Sequence, residues 1–110
     1  MSYAINGTTI TLTRGDTFRA NLSITDSNGL PYIPKDTDHI RFAMKRNYTE
    51  GEPLILKEIP SDSLLLVLEP EDTKGLPFGN YVYDIQLTDS FGIVDTFITK
   101  ARLSLTEEVY

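Results

Sequence analysis

The chain contains no cysteine, which excludes disulfide staples, thiolate metal sites, cysteine-ligated clusters and thiol nucleophiles together. It has a single histidine, His39, so the usual imidazole-rich ligand sets lack a second member. Basic residues are scarce: 10 Lys and Arg stand against 16 Asp and Glu, a formal net charge of −6. Such a chain repels a phosphate backbone, and nucleic acid is not an expected partner. Long apolar runs are also missing. The aliphatic stretch 64–68 is far short of the roughly 20 residues a membrane helix needs, so no membrane partner is expected either. The first residues, Met-Ser-Tyr-Ala-Ile-Asn-Gly, lack the basic and apolar regions of a signal peptide, which predicts a chain kept in the cytoplasm until it assembles. Nowhere does an apolar stripe with a spacing of about 3.6 persist long enough for a substantial helix.

What remains is ordinary globular composition, 110 residues that are 40% hydrophobic and 24% charged, which argues against disorder. The length suits one domain, 1–110, and a chain of this size buries roughly 65% of its unfolded surface without staples. Residues 1–7 read as an extended N-terminal arm and 106–110 as a C-terminal tail. Between them, apolar residues recur with period two and turn signals come at short intervals, the pattern of an all-β protein. Residues 8–13 alternate threonine with Ile10 and Leu12. Phe18, Ala20, Leu22 and Ile24 share one face, and so do Ile40, Phe42 and Met44. Asp26-Ser-Asn-Gly29 is a turn by composition, and Pro31 and Pro34 keep the next stretch out of a central ladder. Residues 54–59 and 64–68 read as two strands closed by Pro60-Ser-Asp62, with faces that the pattern leaves open. Tyr81, Tyr83, Ile85 and Leu87 alternate against polar neighbours. Asp89-Ser-Phe-Gly92 is a hairpin loop, and 93–105 returns with a bulge near Thr99. Glu71-Asp-Thr-Lys-Gly75 is the one helical candidate, with Pro70 in its first turn and Gly75 as its stop. Seven to eight short strands predict an antiparallel β-sandwich of immunoglobulin-like type.

That narrower type rests on residues 64–87. A strand, a tight connection holding Asp72, and then Gly79-Asn-Tyr81-Val-Tyr83 resemble the corner before the sixth strand of immunoglobulin-type domains, where a tyrosine hydroxyl bonds back to upstream backbone. Tyr81 resembles the corner tyrosine and Tyr83 stands where the disulfide cysteine sits. Phe42 takes the place of the core tryptophan. A plainer reading makes Tyr81 and Tyr83 two inward aromatics on any strand. The insertion Leu76-Pro77-Phe78 departs from the usual corner.

A resemblance covering nearly the whole chain appears in Gly15-Asp-Thr-Phe18, Asp26-Ser-Asn-Gly-Leu-Pro-Tyr32, the block from Glu71 to Leu87, and Gly92-Ile-Val-Asp-Thr96. These are similar to small phage or prophage structural proteins, above all the immunoglobulin-like N-terminal modules of upper baseplate proteins in phages of Gram-positive bacteria. The resemblance implies a non-catalytic virion module of tail or baseplate, acting by protein–protein contact. Its implied partners are other phage structural subunits and further copies of itself, and its implied place is the bacterial cytoplasm during assembly and then the virion tail.

No residue set calls for catalysis, cofactor or metal. His39 lacks convergent partners. Ser27, Ser61 and Ser90 lack a nucleophile elbow. Glu71 and Asp72 are adjacent, as are Glu107 and Glu108, and neither pair straddles a glycosidic bond; capping by Asp72 is the simpler role. Asp26, Asp36 and Asp38 lack the calcium-loop pattern. The loop aromatics carry more. In an immunoglobulin-like order Tyr32 and Phe91 lie at one end beside Lys35, Asp36 and Asp89, with Tyr48 and Phe78 at the other. Aromatics at loop tips suit protein interfaces, and a carbohydrate- or cell-surface-binding module is the alternative; they could also fold back as plugs on the core. Charge is uneven: residues 14–57 carry seven basic and six acidic groups, a net of +1, while 58–110 carry three basic and ten acidic, a net of −7. If this makes two poles, head-to-tail contact between copies is favoured.

Overall fold

The computed structural model describes residues 3–6, 8–24, 28–49 and 51–107, with backbone alone at 3–6, 97, 99 and 100. Eight strands and one short helix follow in order: β1 (Tyr3–Asn6), β2 (Thr9–Thr13), β3 (Phe18–Asn21), β4 (His39–Lys45), β5 (Ile55–Ile59), β6 (Leu65–Leu68), α1 (Pro70–Lys74), β7 (Gly79–Thr88) and β8 (Val94–Thr106). One layer is a six-stranded sheet in the order β1-β2-β8-β7-β4-β5, and the other is the pair β3-β6. The protein is an all-β sandwich, and β8-β7-β4-β5 against β3-β6 is the immunoglobulin-like arrangement.

Alternation produces the core. On β4, Ile40, Phe42 and Met44 are fully buried while His39 and Arg41 are exposed. On β7, Tyr81, Tyr83 and Ile85 face the same interior. Phe18, Leu66 and Leu68 close it from the second layer. Each such side chain contributes on the order of 1.5–3 kcal/mol when fully buried. The strand faces that periodicity leaves open resolve by register: Ile55 and Ile59 turn inward and Leu56 and Glu58 outward on β5, and Leu66 and Leu68 turn inward on β6.

Three features differ from the sequence expectation. Residues 3–6 are a strand paired antiparallel with β2, where an extended arm is expected. β2 pairs with β8 in parallel, so the sandwich is not antiparallel throughout; the chain leaves β2 for the second layer instead of returning beside it. The strands β5 and β6 do not form a hairpin. β5 pairs with β4 and β6 with β3, and the 60–64 turn carries the chain between layers. There Leu64 adopts a positive φ of 52°, a conformation costing roughly 1–2 kcal/mol in a residue with a Cβ. Its amide donates to the Pro60 carbonyl (2.9 Å) and its carbonyl accepts from Leu22 (2.8 Å), which hold it there.

The β7–β8 ladder shifts register between the pairs Tyr83↔Ala101 and Ile85↔Ile98, bracketing Thr99, and again before Gln86↔Thr96. The α1 turn starts at Pro70 and is closed by a reciprocal cap, in which the Asp72 carboxylate accepts from the Glu69 amide at 2.7 Å. The same carboxylate pairs with Lys57 at 2.9 Å. The turn expected at Asp26–Gly29 begins outside the described residues, and so does the end of the 106–110 tail. Thr106 is the last residue of β8.

Candidate interaction site at the β3–β4 and β7–β8 loops

Register places the 89–93 loop and the described parts of the 22–38 loop, 22–24 and 28–38, at one end of the sandwich, because His39, Thr88 and Val94 lie side by side across β4, β7 and β8. The first loop is tied to the core by three contacts. The Tyr32 amide donates to the Ile24 carbonyl (2.8 Å). The Tyr32 hydroxyl donates to Asp38 Oδ2 at 2.7 Å, and the Lys35 amide donates to the same oxygen at 2.9 Å. Asp38 is only 6% exposed. The hydroxyl and then the amide hold its carboxyl below the usual aspartate range. The Tyr32 phenol is pushed up in turn, first by that bond to Asp38, then by burial and by the charges of Asp38 and Asp89.

The second loop is organised by Asp89. Its Oδ1 accepts from the amides of Phe91 (2.9 Å) and Ile93 (3.0 Å). Its backbone closes the same turn, the Asp89 amide donating to the Ile93 carbonyl and its carbonyl accepting from Gly92. Gly92 supplies the required left-handed backbone at φ 82°. The braced loop holds Phe91 88% exposed.

Tyr32 and Phe91 therefore take different roles. The Tyr32 ring packs against the core while Phe91 projects into solvent. Lys35 and Asp36 are exposed beside them. At this end the structure exposes further apolar residues in addition to Phe91: Leu30, Ile33, Ile93 and Val94. Part of the signal was available, since Ile33 lies between Pro31 and Pro34, which keep that stretch out of a central ladder.

The opposite end is built around Tyr81, whose hydroxyl donates to the Pro77 carbonyl at 2.6 Å. The acceptor lies within the Leu76-Pro77-Phe78 insertion itself. Arg14 pins that insertion from the other side, donating to the Leu76 carbonyl (3.0 Å) and lying 4.1 Å from the Phe78 ring centroid. Burial pushes the Tyr81 phenol up, opposed by the charges of Arg46 and Arg14. Tyr83 donates to the Thr8 carbonyl, and burial pushes its pKa up to about 12. Its ring lies 5.2 Å from that of Phe42.

The remaining candidates are dispersed. His39 is exposed and engages Glu58 (3.1 Å), which also holds Arg41 (3.3 Å). Ser90 is an exposed residue of the 89–93 loop and Ser61 lies in the 60–64 turn, while Ser27 and Asp26 fall outside the described residues. Among the described residues no group of three or more His, Asp or Glu is placed to hold a metal ion. No helix among them is long and apolar enough to cross a membrane. The fold and this end define a β-sandwich that presents apolar side chains on two braced loops. No protein-family model, curated protein or solved structure matches the chain.

Proposed function

We propose that this protein is a non-catalytic docking module, a structural subunit of a phage or prophage tail or baseplate that works through protein–protein contacts at its loop end. The observation that carries the docking reading is that Leu30, Ile33, Phe91 and Ile93, on the two loops, and Val94, at the start of β8, are each more than half exposed at one end of the sandwich, with Asp38 and Asp89 bracing the loops. Exposed apolar surface marks interaction sites, and a braced loop loses little entropy when it binds. The phage assignment is supported by the sequence motifs that resemble baseplate modules, from Gly15-Asp-Thr-Phe18 to Gly92-Ile-Val-Asp-Thr96.

Mass spectrometry and electron microscopy of purified particles after prophage induction test the role. The chain is expected in virions at stoichiometric copy number, with Phe91→Ser lowering its incorporation. Absence from the particles refutes the virion assignment. Reproducible glycan-array binding that is lost in Phe91→Ala would replace it with the carbohydrate-binding reading.

A further inference from the structure

We propose that a cleft between the two layers, beside β3, binds a small neutral aromatic molecule against Phe18 and Tyr83. The cleft has a volume of about 150 Å³. Its floor is Ile10 of β2, Phe18 of β3, Leu66 of β6, and Tyr83 and Ile85 of β7, all of them buried. Ala20, Leu22 and Ile98 form half-buried walls, while Thr8, Asn21 and Ser23 make an exposed rim. The exposed Ile33 and Phe91 are not part of this lining, so the cleft is independent of the docking reading.

The fold accounts for the space. The second layer has two strands against six, and the cleft opens between the end of β3 and the start of β2, where its rim residues lie. The wall contributed by β7 and β8 is bulged. From the pair Ile85↔Ile98 to the pair Tyr83↔Ala101, β8 advances three residues while β7 advances two. A bulge bends its strand and re-aims side chains, and bulges recur beside functional sites. Ile98 shows the result: it stays half-buried beside the cleft, whereas Ala101 and Leu103 further along β8 are closed off. Protein interiors hold few voids larger than a water molecule. An apolar space of this size, continuous with the core, is room for a guest.

The lining selects the kind of guest. No Asp, Glu, Lys, Arg or His is among its described residues, so a charged group would enter at a desolvation cost that no counter-charge offsets. The Tyr83 hydroxyl already donates to the Thr8 carbonyl, and no described lining side chain holds a buried polar atom without a partner. The floor therefore offers nothing for a sugar or for water to bond. An apolar cavity of roughly 150 Å³ stays dry and accepts benzene. The rings of Phe18 and Tyr83 favour a flat aromatic guest, which can meet them edge to face or offset. A single polar substituent would sit at the rim, beside Thr8, Asn21 and Ser23.

Heteronuclear NMR titration of the isotope-labelled full chain tests this, with benzyl alcohol and myo-inositol as the probes. Benzyl alcohol is expected to give saturable shifts at the amides of Ala20, Leu22 and Ile85. Its dissociation constant should be about 1 mM, the scale for so few contact atoms. Myo-inositol, a ring of similar size covered in hydroxyls, is expected to give none. Ala20→Leu fills the cleft from the β3 wall and is expected to abolish the benzyl alcohol shifts, with an unchanged thermal midpoint verifying folding. Leu22→Phe, which fills it from the same side, replaces that variant if it fails to fold. Absence of saturable shifts up to about 20 mM benzyl alcohol, well past the expected constant, overturns the proposal. Binding of myo-inositol at the same amides overturns it too, and so does full affinity in the filled variant. The docking role stands or falls on particle incorporation, which is measured independently.

Discussion

The Tyr32 hydroxyl and the Asp38 carboxylate form a 2.7 Å hydrogen bond across the base of the 22–38 loop, with the Lys35 amide on the same carboxylate oxygen. This bond joins the loop end to the core, since the Tyr32 ring packs on the interior while Asp38 is the residue immediately before β4. It needs an ionised carboxyl and a protonated phenol, so it has a defined pH window.

The Asp38 pKa is lowered in the folded state. Its contribution is therefore present above the unfolded aspartate value of about 3.9 and is lost as pH falls through the folded value. The Tyr32 pKa is raised, so its contribution is complete below about 10 and is lost as pH rises through the folded value. Tyr32→Phe is expected to cost about 1.5–3 kcal/mol at neutral pH, the range for a hydrogen bond to a charged group. Urea unfolding at pH 7 and pH 3 checks this: the difference from wild type should shrink at the lower pH. An equal cost at both would mean that the bond contributes nothing through charge.

The contact between Phe42 and Tyr83 separates packing from hydrogen bonding. Tyr83→Ala removes a large buried aromatic and is expected to cost about 3–5 kcal/mol. Tyr83→Phe keeps the ring beside Phe42 and loses the bond to the Thr8 carbonyl, for a cost of about 1 kcal/mol. A loss under about 1 kcal/mol in the alanine variant would exclude a core role. Ultraviolet titration of the folded protein should show one phenol ionising near 12.

At the corner, Tyr81→Phe is expected to cost about 1 kcal/mol by freeing the Pro77 carbonyl. Arg14→Ala should add to that cost less than additively, because both side chains hold the 76–78 segment. A double-mutant cycle from thermal unfolding measures the coupling, and strict additivity would show that the two act independently.

Asp89→Ala is expected to loosen the 89–93 loop while leaving the sandwich folded. Amide hydrogen exchange should accelerate at Phe91 and Ile93, the two donors to its carboxylate, and stay slow along β4. Unchanged exchange at both amides would remove Asp89 as the brace of the exposed Phe91.

Much of this architecture is legible in periodicity. Period-two alternation on β4 and β7 names Phe42, Met44, Tyr83 and Ile85 as inward residues because a pleated strand sends successive side chains to opposite faces. The α1 turn is equally legible from Pro70 and Asp72, since capping is local chemistry. The loop end is legible only in part. Phe91 and Asp89 stand out within a four-residue turn, but Asp38 acts through Tyr32, six positions away, and its importance depends on a carboxylate being buried.

Local patterning along the chain was thus enough to establish most of the strands, the inward faces of β4 and β7 and several of the turns, because each of those is set by neighbours within a few residues. Partner choice between strands was not. The parallel β2–β8 pair and the crossing from β5 to β6 depend on which distant surfaces bury the most apolar area, a quantity that exists only once both layers have closed around Phe18, Phe42 and Leu103. The same closure turned Tyr32 inward and left Phe91 outside.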